Sequence, residues 1–354
     1  MQLGGSKAVA MKRVEVLLFT SELADLIEAG MTLGQALSAL AGQGDEGSAA
    51  RFVCGDIRDR IVRGESFSDA CRHHPDTFEP LYPNMIRAAE ASGAMVDVLR
   101  RLADHYERSD TMRGKIKSAL TYPAVVLCFG IFAVIGALVW IVPQFQKVFD
   151  SLGATLPLPT RILIGMSDFV TQYGWALLAA SVAFFFWFRR WKRTPAGRLR
   201  IDGWKLKAPL VKGIVACGAY SSLAYTLKTL LANGVNVLQA LKIAEETCGN
   251  AVIGEALATA RKRVTDGTSI SGPLASSGVF PKMMTDMLGI GEQAGDMASA
   301  LEHIGRRYQK DMDRNIASFT NALEPILIVS IAGVVAFLAI AILSAVFQAS
   351  NAIG

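Results

Sequence analysis

Hydrophobic and polar positions along this chain follow two regimes. From Val14 onward apolar residues recur at helical spacing among charges, and Phe19, Leu23, Leu26 and Ile27 share one face of a helix. Two later runs, 124–142 and 326–347, carry no charge at all. As a helix the second run is about 33 Å long, enough to cross a hydrocarbon core of roughly 30 Å. The pattern predicts a helix from Val14 that stops at Gly30, and a second from Leu33 to about Gln43 behind a Thr32-x-x-Gln35 capping box. After a polar loop at 42–47, further helices are expected over 49–62, from Ser66 to near His73, over 78–92 with Gly93 as the stop, and from Val96 toward Lys117. That last one feeds the first uncharged run. No period-two alternation is long enough for a strand, so the fold class is an all-α membrane protein.

The same punctuation then returns. Leu223, Leu227, Leu230 and Leu231 repeat the first apolar face at an offset of 204, Gly234 matches Gly30, and Asn236-x-x-Gln239 matches the Thr32/Gln35 box. From Phe78 and Phe280 the offset is 202, pairing Glu90 with Glu292, Gly93 with Gly295, Tyr106 with Tyr308 and Pro123 with Pro325. Each proline opens an uncharged run and is expected in the first turn of its span. The chain therefore reads as two tandem-repeat six-helix bundles, each followed by a span.

Two bundles on one side of a membrane require a third span between them. The run 174–188, extended back to Phe169, supplies it, preceded by an extended, helix-capping stretch at 156–160 and a short amphipathic helix at 162–169. Six Lys/Arg fall in 100–117 and eight in 189–207, against two in 144–173 and none after Phe347. The positive-inside rule then places both bundles and the N-terminus in the cytoplasm and the C-terminus outside. The expected division is a tail 1–13, a first bundle 14–120, a span 121–143, an outer loop 144–168, a span 169–188, a second bundle 189–323, a span 324–347 and a tail 348–354.

Composition agrees with soluble domains joined to a few spans: 51% of residues are hydrophobic, 19% are charged, and the mean hydropathy is +0.34. No cleavable signal peptide is read in the polar first thirteen residues. The net charge of +5 is distributed by membrane side and is no nucleic-acid footprint. Cys54, Cys71, Cys128, Cys217 and Cys248 are scattered without a CxxC pair, and read as small buried hydrophobes in a reducing compartment.

Motifs for chemistry are missing. No phosphate-cradling G-x-x-x-x-G-K-[ST] occurs, the adjacent His73 and His74 point apart on a helix, and no histidine lies in a span to activate Ser330 or Ser344, which read as helix-packing residues. The spans hold no charge for an ion relay. These absences disfavour a polytopic small-molecule transporter and an intramembrane protease, and predict no enzyme, no metal and no cofactor. The paired signals Glu90-x-x-Gly93 and Glu292-x-x-Gly295 fit either helix endings whose glutamate bonds a neighbouring helix, or a partner or subunit contact. Arg100-Arg101 and Arg306-Arg307 fit lipid headgroup anchors or a docking surface for an acidic partner.

These segments resemble one family. The paired L-x-x-L-[IL]-x-x-G-[MV]-x-[LV]-x-Q-A-L segments at 23–37 and 227–241, the E-x-x-G segments at 90–99 and 292–301, Thr121-Tyr122-Pro123, the L-P-L-P-T-R stretch and Glu324-Pro325 look like the platform proteins of type II secretion and type IV pili. The resemblance spans 16–348. It implies a multi-pass protein of the bacterial inner membrane that self-associates. It also implies contact with a cytoplasmic hexameric assembly ATPase, with bitopic inner-membrane assembly proteins, and with pilins or pseudopilins. One departure is the short stretch before the first repeat, where many members carry a longer cytoplasmic segment.

Overall fold

The computed structural model describes residues 10–43, 47–144, 158–192, 194–209, 211–264 and 269–353. Residues 1–9 of the expected 1–13 tail, 44–46 of the 42–47 loop and 145–157 of the expected 144–168 outer loop lie outside the described residues. Among the described residues there are fourteen α-helices, one π-helical segment and no strand. In order they are α1 (Arg13–Glu28), α2 (Leu33–Gln43), α3 (Ala49–Val62), α4 (Phe67–Arg72), α5 (Leu81–Ser92), α6 (Met95–Gly136) and the π-helical Ala137–Ile141. Next come α7 (Leu158–Lys192), α8 (Pro195–Lys207), α9 (Lys212–Ala232), α10 (Val237–Thr247), α11 (Ala251–Val264), α12 (Ser271–Ser276), α13 (Lys282–Ala294) and α14 (Met297–Ile353). Helices α1–α6 and α9–α14 are the two copies.

The chain divides into two compact units. One comprises Met1–Lys115 and Asp202–Asp313, the other Ile116–Ile201 and Arg314–Gly354. In the first unit, equivalent positions of the copies are buried alike: Leu23 and Leu227, Leu37 and Leu241, Phe67 and Ile270, Phe78 and Phe280, Leu99 and Leu301. Full burial of each such side chain contributes about 1.5–3 kcal/mol, so the repeated apolar positions suffice to close the same bundle twice. Helix stops fall where glycine permits a left-handed turn, with φ of 92° at Gly30 and 75° at Gly234.

Copy one also keeps its capping box: Thr32 N donates to Gln35 Oε1 at 3.1 Å, and Gln35 N donates to Thr32 Oγ1. Copy two does not. Asn236 accepts from Leu238 N at 2.9 Å, while Gln239 turns away and its Nε2 donates to Asn84 Oδ1 on α5. The Asn236 side-chain carbonyl oxygen caps the N–H one position earlier than the Thr32 hydroxyl does, and the glutamine bridges the copies instead.

In the second unit α7 meets the π-helical segment, the residue after it and the C-terminal part of α14 through Leu138, Val142, Leu163, Ile164 and Ala341. Two hydroxyls lock this contact. Thr160 Oγ1 donates to the Ala341 carbonyl at 2.8 Å, and Ser167 Oγ donates to the Leu138 carbonyl, inside the π-helical segment, at 2.5 Å. The wider π-helical turn changes the local carbonyl pattern, and Ser167 takes up one of those acceptors. Ser330 and Ser344 bond carbonyls of their own helix, those of Ile326 and Ala341.

Three sequence expectations need correction. Pro123 and Pro325 lie inside α6 and α14, not in a first turn. Each removes one backbone N–H, yet the turns before and after keep their bonds and the helix runs on. The amphipathic segment at 162–169 and the span after it form one 35-residue helix, α7, which starts at Leu158, so the residues 158–160 are helical rather than extended. Pro159 sits in its first turn, where proline is tolerated. Of the cysteines, only Cys54 and Cys71 are buried, and Cys128 is exposed. Four described helices, including α9, are long and apolar enough to cross a membrane. Helix α9 nevertheless contributes Tyr220, Leu223, Leu227 and Leu230 to the core of the first unit.

Candidate functional site

Each paired glutamate bonds the neighbouring short helix of its own bundle. Glu90, on α5, accepts from Phe67 N at 2.6 Å, from Ser68 N at 3.4 Å and from the Ser68 hydroxyl at 2.6 Å. Glu292, on α13, accepts from Ile270 N, Ser271 N and the Ser271 hydroxyl. In both copies, then, a carboxylate from one helix closes the orphan N–H groups at the start of the short helix before it. Gly93 and Gly295, at φ of 72° and 70°, end the glutamate-bearing helices. The E-x-x-G spacing is therefore set by two local needs: an acceptor over α4 or α12, and a left-handed stop one turn later.

The arginine pairs behave differently in the two copies. Arg100 bridges Asp25 and Glu28 of α1, each at 2.6 Å, whereas its counterpart Glu302 accepts from Lys228 of α9 at 2.9 Å. The polarity of the bridge between first and last helix is reversed. Arg101 Nη1 donates to the Ala232 carbonyl at the end of α9. Arg306 and Arg307 pair along their own helix with Glu302 and Asp311, and both remain more than half exposed.

Around Arg101 the two copies meet. Arg101, Asp104, His105 and Arg108 of α6 face Tyr225, Lys228, Thr229 and Ala232 of α9 across a cleft of about 280 Å³. The Arg108 guanidinium lies 4.8 Å from the Tyr225 ring centre, and Tyr225 Oη donates to Gln309 Oε1. Burial, with the Arg13 and Arg108 charges nearby, lowers the His105 pKa to about 4. Lys115 of α6 and Asp313 of α14 close the far end of this contact at 2.8 Å. Sequence reading singled out Arg101 but not its neighbours. Their signal was present: residues 101, 104, 105 and 108 follow the i, i+3, i+4, i+7 pattern of one helical face.

His73 and His74 each pair with a separate carboxylate, Glu65 and Asp56. Among the described residues no group of three or more His, Cys, Asp or Glu could hold a metal. In the second unit an apolar groove of about 320 Å³ runs between α6 and α14, lined by Gly130, Ile131, Val134, Ser330, Ile331 and Leu338.

Two copies of one helical bundle, each leading without a break into an uncharged helical segment, define an internally duplicated all-α membrane protein. The chain belongs to the family described as "Type II secretion system (T2SS), protein F", whose profile matches residues 19–143 and again 223–345. Those matches begin 204 residues apart and end 202 apart, the two offsets of the repeat. The chain is 37% identical over 316 residues to the Type IV pilus assembly protein PilC of Thermus thermophilus, covering 89% of this chain and 77% of that protein. It is 33% identical over 339 residues to the PilC of Myxococcus xanthus, covering 96% and 81%. To the Type II secretion system protein F of Aeromonas hydrophila it is 34% identical over 342 residues, covering 95% and 87%.

Proposed function

We propose that this chain is an inner-membrane platform that couples a cytoplasmic assembly ATPase to the building of a pilin or pseudopilin fibre, without catalysing a reaction itself. The observation that carries this reading is the unbroken passage of α6 and α14 from a packed bundle into an apolar segment, in a family whose relatives bear pilus-assembly and secretion names. A continuous helix carries a displacement of the bundle to the segment beyond it, since its backbone hydrogen bonds are not interrupted by a loop.

In this reading three segments span the membrane, within α6, α7 and α14. Helix α9 stays outside because its apolar residues are already committed to a core. Both bundles face the cytoplasm, as the Lys/Arg clusters before the first span and after the second support, and the C-terminus is periplasmic. The hexameric ATPase meets the bundles; pilins, pseudopilins and bitopic assembly proteins meet the apolar helices and the bilayer. Nucleic acid takes no direct part. Arg306 and Arg307 are the strongest of the expected contact residues, because their guanidinium groups stay accessible.

The test uses the purified protein in lipid with its cognate ATPase. No nucleotide hydrolysis is expected from the protein alone, and a changed ATPase rate when it is added. A clean deletion strain is expected to lose surface fibres or secretion while still processing prepilin. Normal fibres in that strain, or robust solute uptake by vesicles carrying the protein, refutes the reading.

A further inference from the structure

The duplication leaves two faces exposed, and they are complementary. Within the chain, copy one offers the outward face of α6 (Arg101, Asp104, His105, Arg108), and copy two covers it with the outward face of α9 (Tyr225, Thr229, Ala232). By the repeat offsets, the α6 face corresponds on α14 to His303, Arg306, Arg307 and Lys310, and the α9 face corresponds on α1 to Ser21, Asp25 and Glu28. Neither equivalent is covered. His303, Arg306, Arg307 and Lys310 are all exposed, as are Asp25 and Glu28. The exposed stripe of α1 continues toward its N-terminus as Val14 and Leu18, at 48% and 53% exposure.

The charges on these faces match. Every position of the α14 face is basic or histidine, whereas the α1 face carries two carboxylates and Glu22 beside them. The ion pairs already made there, Arg306 with Glu302, Arg307 with Asp311 and Arg100 with Asp25 and Glu28, join groups mostly about half exposed to solvent. Pairs of that kind are worth well under about 1 kcal/mol and re-pair at little cost. We infer that the α14 face of one copy of this chain docks on the α1 face of a second copy, repeating between chains the contact that joins the two bundles within one.

Such a contact is heterologous: different patches meet, so a third chain can follow the second. It closes into a ring or runs on as a helix with a rise. A chain whose apolar helices must share one bilayer plane favours the ring. This inference stands apart from ATPase coupling, because it rests on the repeat and its charges alone.

The experiment is site-specific cross-linking of the full chain in lipid nanodiscs or vesicles, on a Cys128→Ser background. Asp25→Cys and Arg307→Cys chains are mixed, and a cross-linked dimer is expected from the mixture but from neither variant alone. In parallel, Asp25→Arg with Glu28→Arg, and separately Arg306→Glu with Arg307→Glu, are each expected to weaken association about tenfold or more, since like charges then face each other. Mixing those two charge-reversed chains restores association, because every junction between alternating chains again joins opposite charges. Cross-linking within a single variant means the same patch meets itself and overturns the inference. So does an oligomer mass that no charge reversal changes. If Arg306→Glu with Arg307→Glu abolishes stimulation of the ATPase but leaves the oligomer intact, the basic face serves an acidic partner and the self-association is wrong, while the platform reading survives.

Discussion

Truncating Glu90 to alanine asks whether the carboxylate on α5 holds the start of α4. It accepts from the first two backbone N–H groups of that helix and from the Ser68 hydroxyl. A helix start gives such N–H groups no partner of its own. A charge-assisted hydrogen bond is worth about 1.5–3 kcal/mol, and an anion at a helix N-terminus adds about 0.3–1 kcal/mol. Two features reduce that total: Glu90 is exposed, so water replaces part of it, and Ser66 caps the same turn through Asp69 N. One feature maintains it, because Ser68 is buried and its hydroxyl keeps only the Ser66 hydroxyl, 3.1 Å away, when the carboxylate is gone. The balance is about 2 kcal/mol for Glu90→Ala and about 1 kcal/mol for Glu90→Gln, which keeps an acceptor oxygen but no charge. Two kcal/mol is roughly thirtyfold in an opening equilibrium. Amide hydrogen exchange over Phe67–Arg72, in the detergent-solubilised full chain, reads that factor directly. Glu292→Ala is expected to loosen Ser271–Ser276 in the same way. Unchanged protection in Glu90→Ala, or equal loosening by alanine and glutamine, would refute the capping argument.

Three further outcomes follow from the geometry. Gly234→Val places a β-branched side chain at φ 75° with open space around it, so the loss is backbone strain alone, about 1–2 kcal/mol in thermal unfolding; a neutral result contradicts it. His105 has a folded pKa of about 4 against an ordinary 6.5, so the unfolded chain binds the proton first and stability falls as pH drops from about 6.5 toward 4. Discounted for partial exposure, the loss is about 1–2 kcal/mol, and His105→Gln is expected to flatten that part of a melting-temperature profile. Cysteines placed at Ser48 and at the exposed Glu255 are expected to react only from the cytoplasmic side, and those at Ser151 and Asn351 only from outside; Asn351 labelled from within removes the three-span arrangement.

Much of this architecture was legible because it rests on local signals that act through a few residues. Glycines 30, 93, 234 and 295 end helices wherever a left-handed residue is required, and the apolar faces at Phe19 and Leu223 recur at helical spacing. What stayed hidden depends on the rest of the fold. A proline marks the loss of one hydrogen bond, but whether a helix survives that loss is decided by the turns on either side, so Pro123 and Pro325 looked like beginnings. The π-helical turn at Ala137–Ile141 has no residue that announces it; its partner Ser167 is 29 positions further on. Gln239 carried the same motif as Gln35 but bonds Asn84 on another helix, while Asn236 caps Leu238 N by itself. The cleft at Arg101 was visible only as half a surface, since the other half lies on a helix 131 residues away.

A chain that contains the same bundle twice faces a hazard while it folds. The first helix of either copy is shaped to fill the groove left by the first helix of the other, and tandem duplicates are prone to exchanging such pieces. The reversed bridges act against that exchange. If α1 settled into the second copy, Asp25 and Glu28 would lie beside Glu302; if α9 settled into the first, Lys228 would meet Arg100. Each misplacement sets like charges face to face, while each correct placement sets opposites together. The hydrophobic faces make both copies foldable, and the opposite direction of these bridges adds a small bias, well under about 1 kcal/mol each, toward the correct pairing.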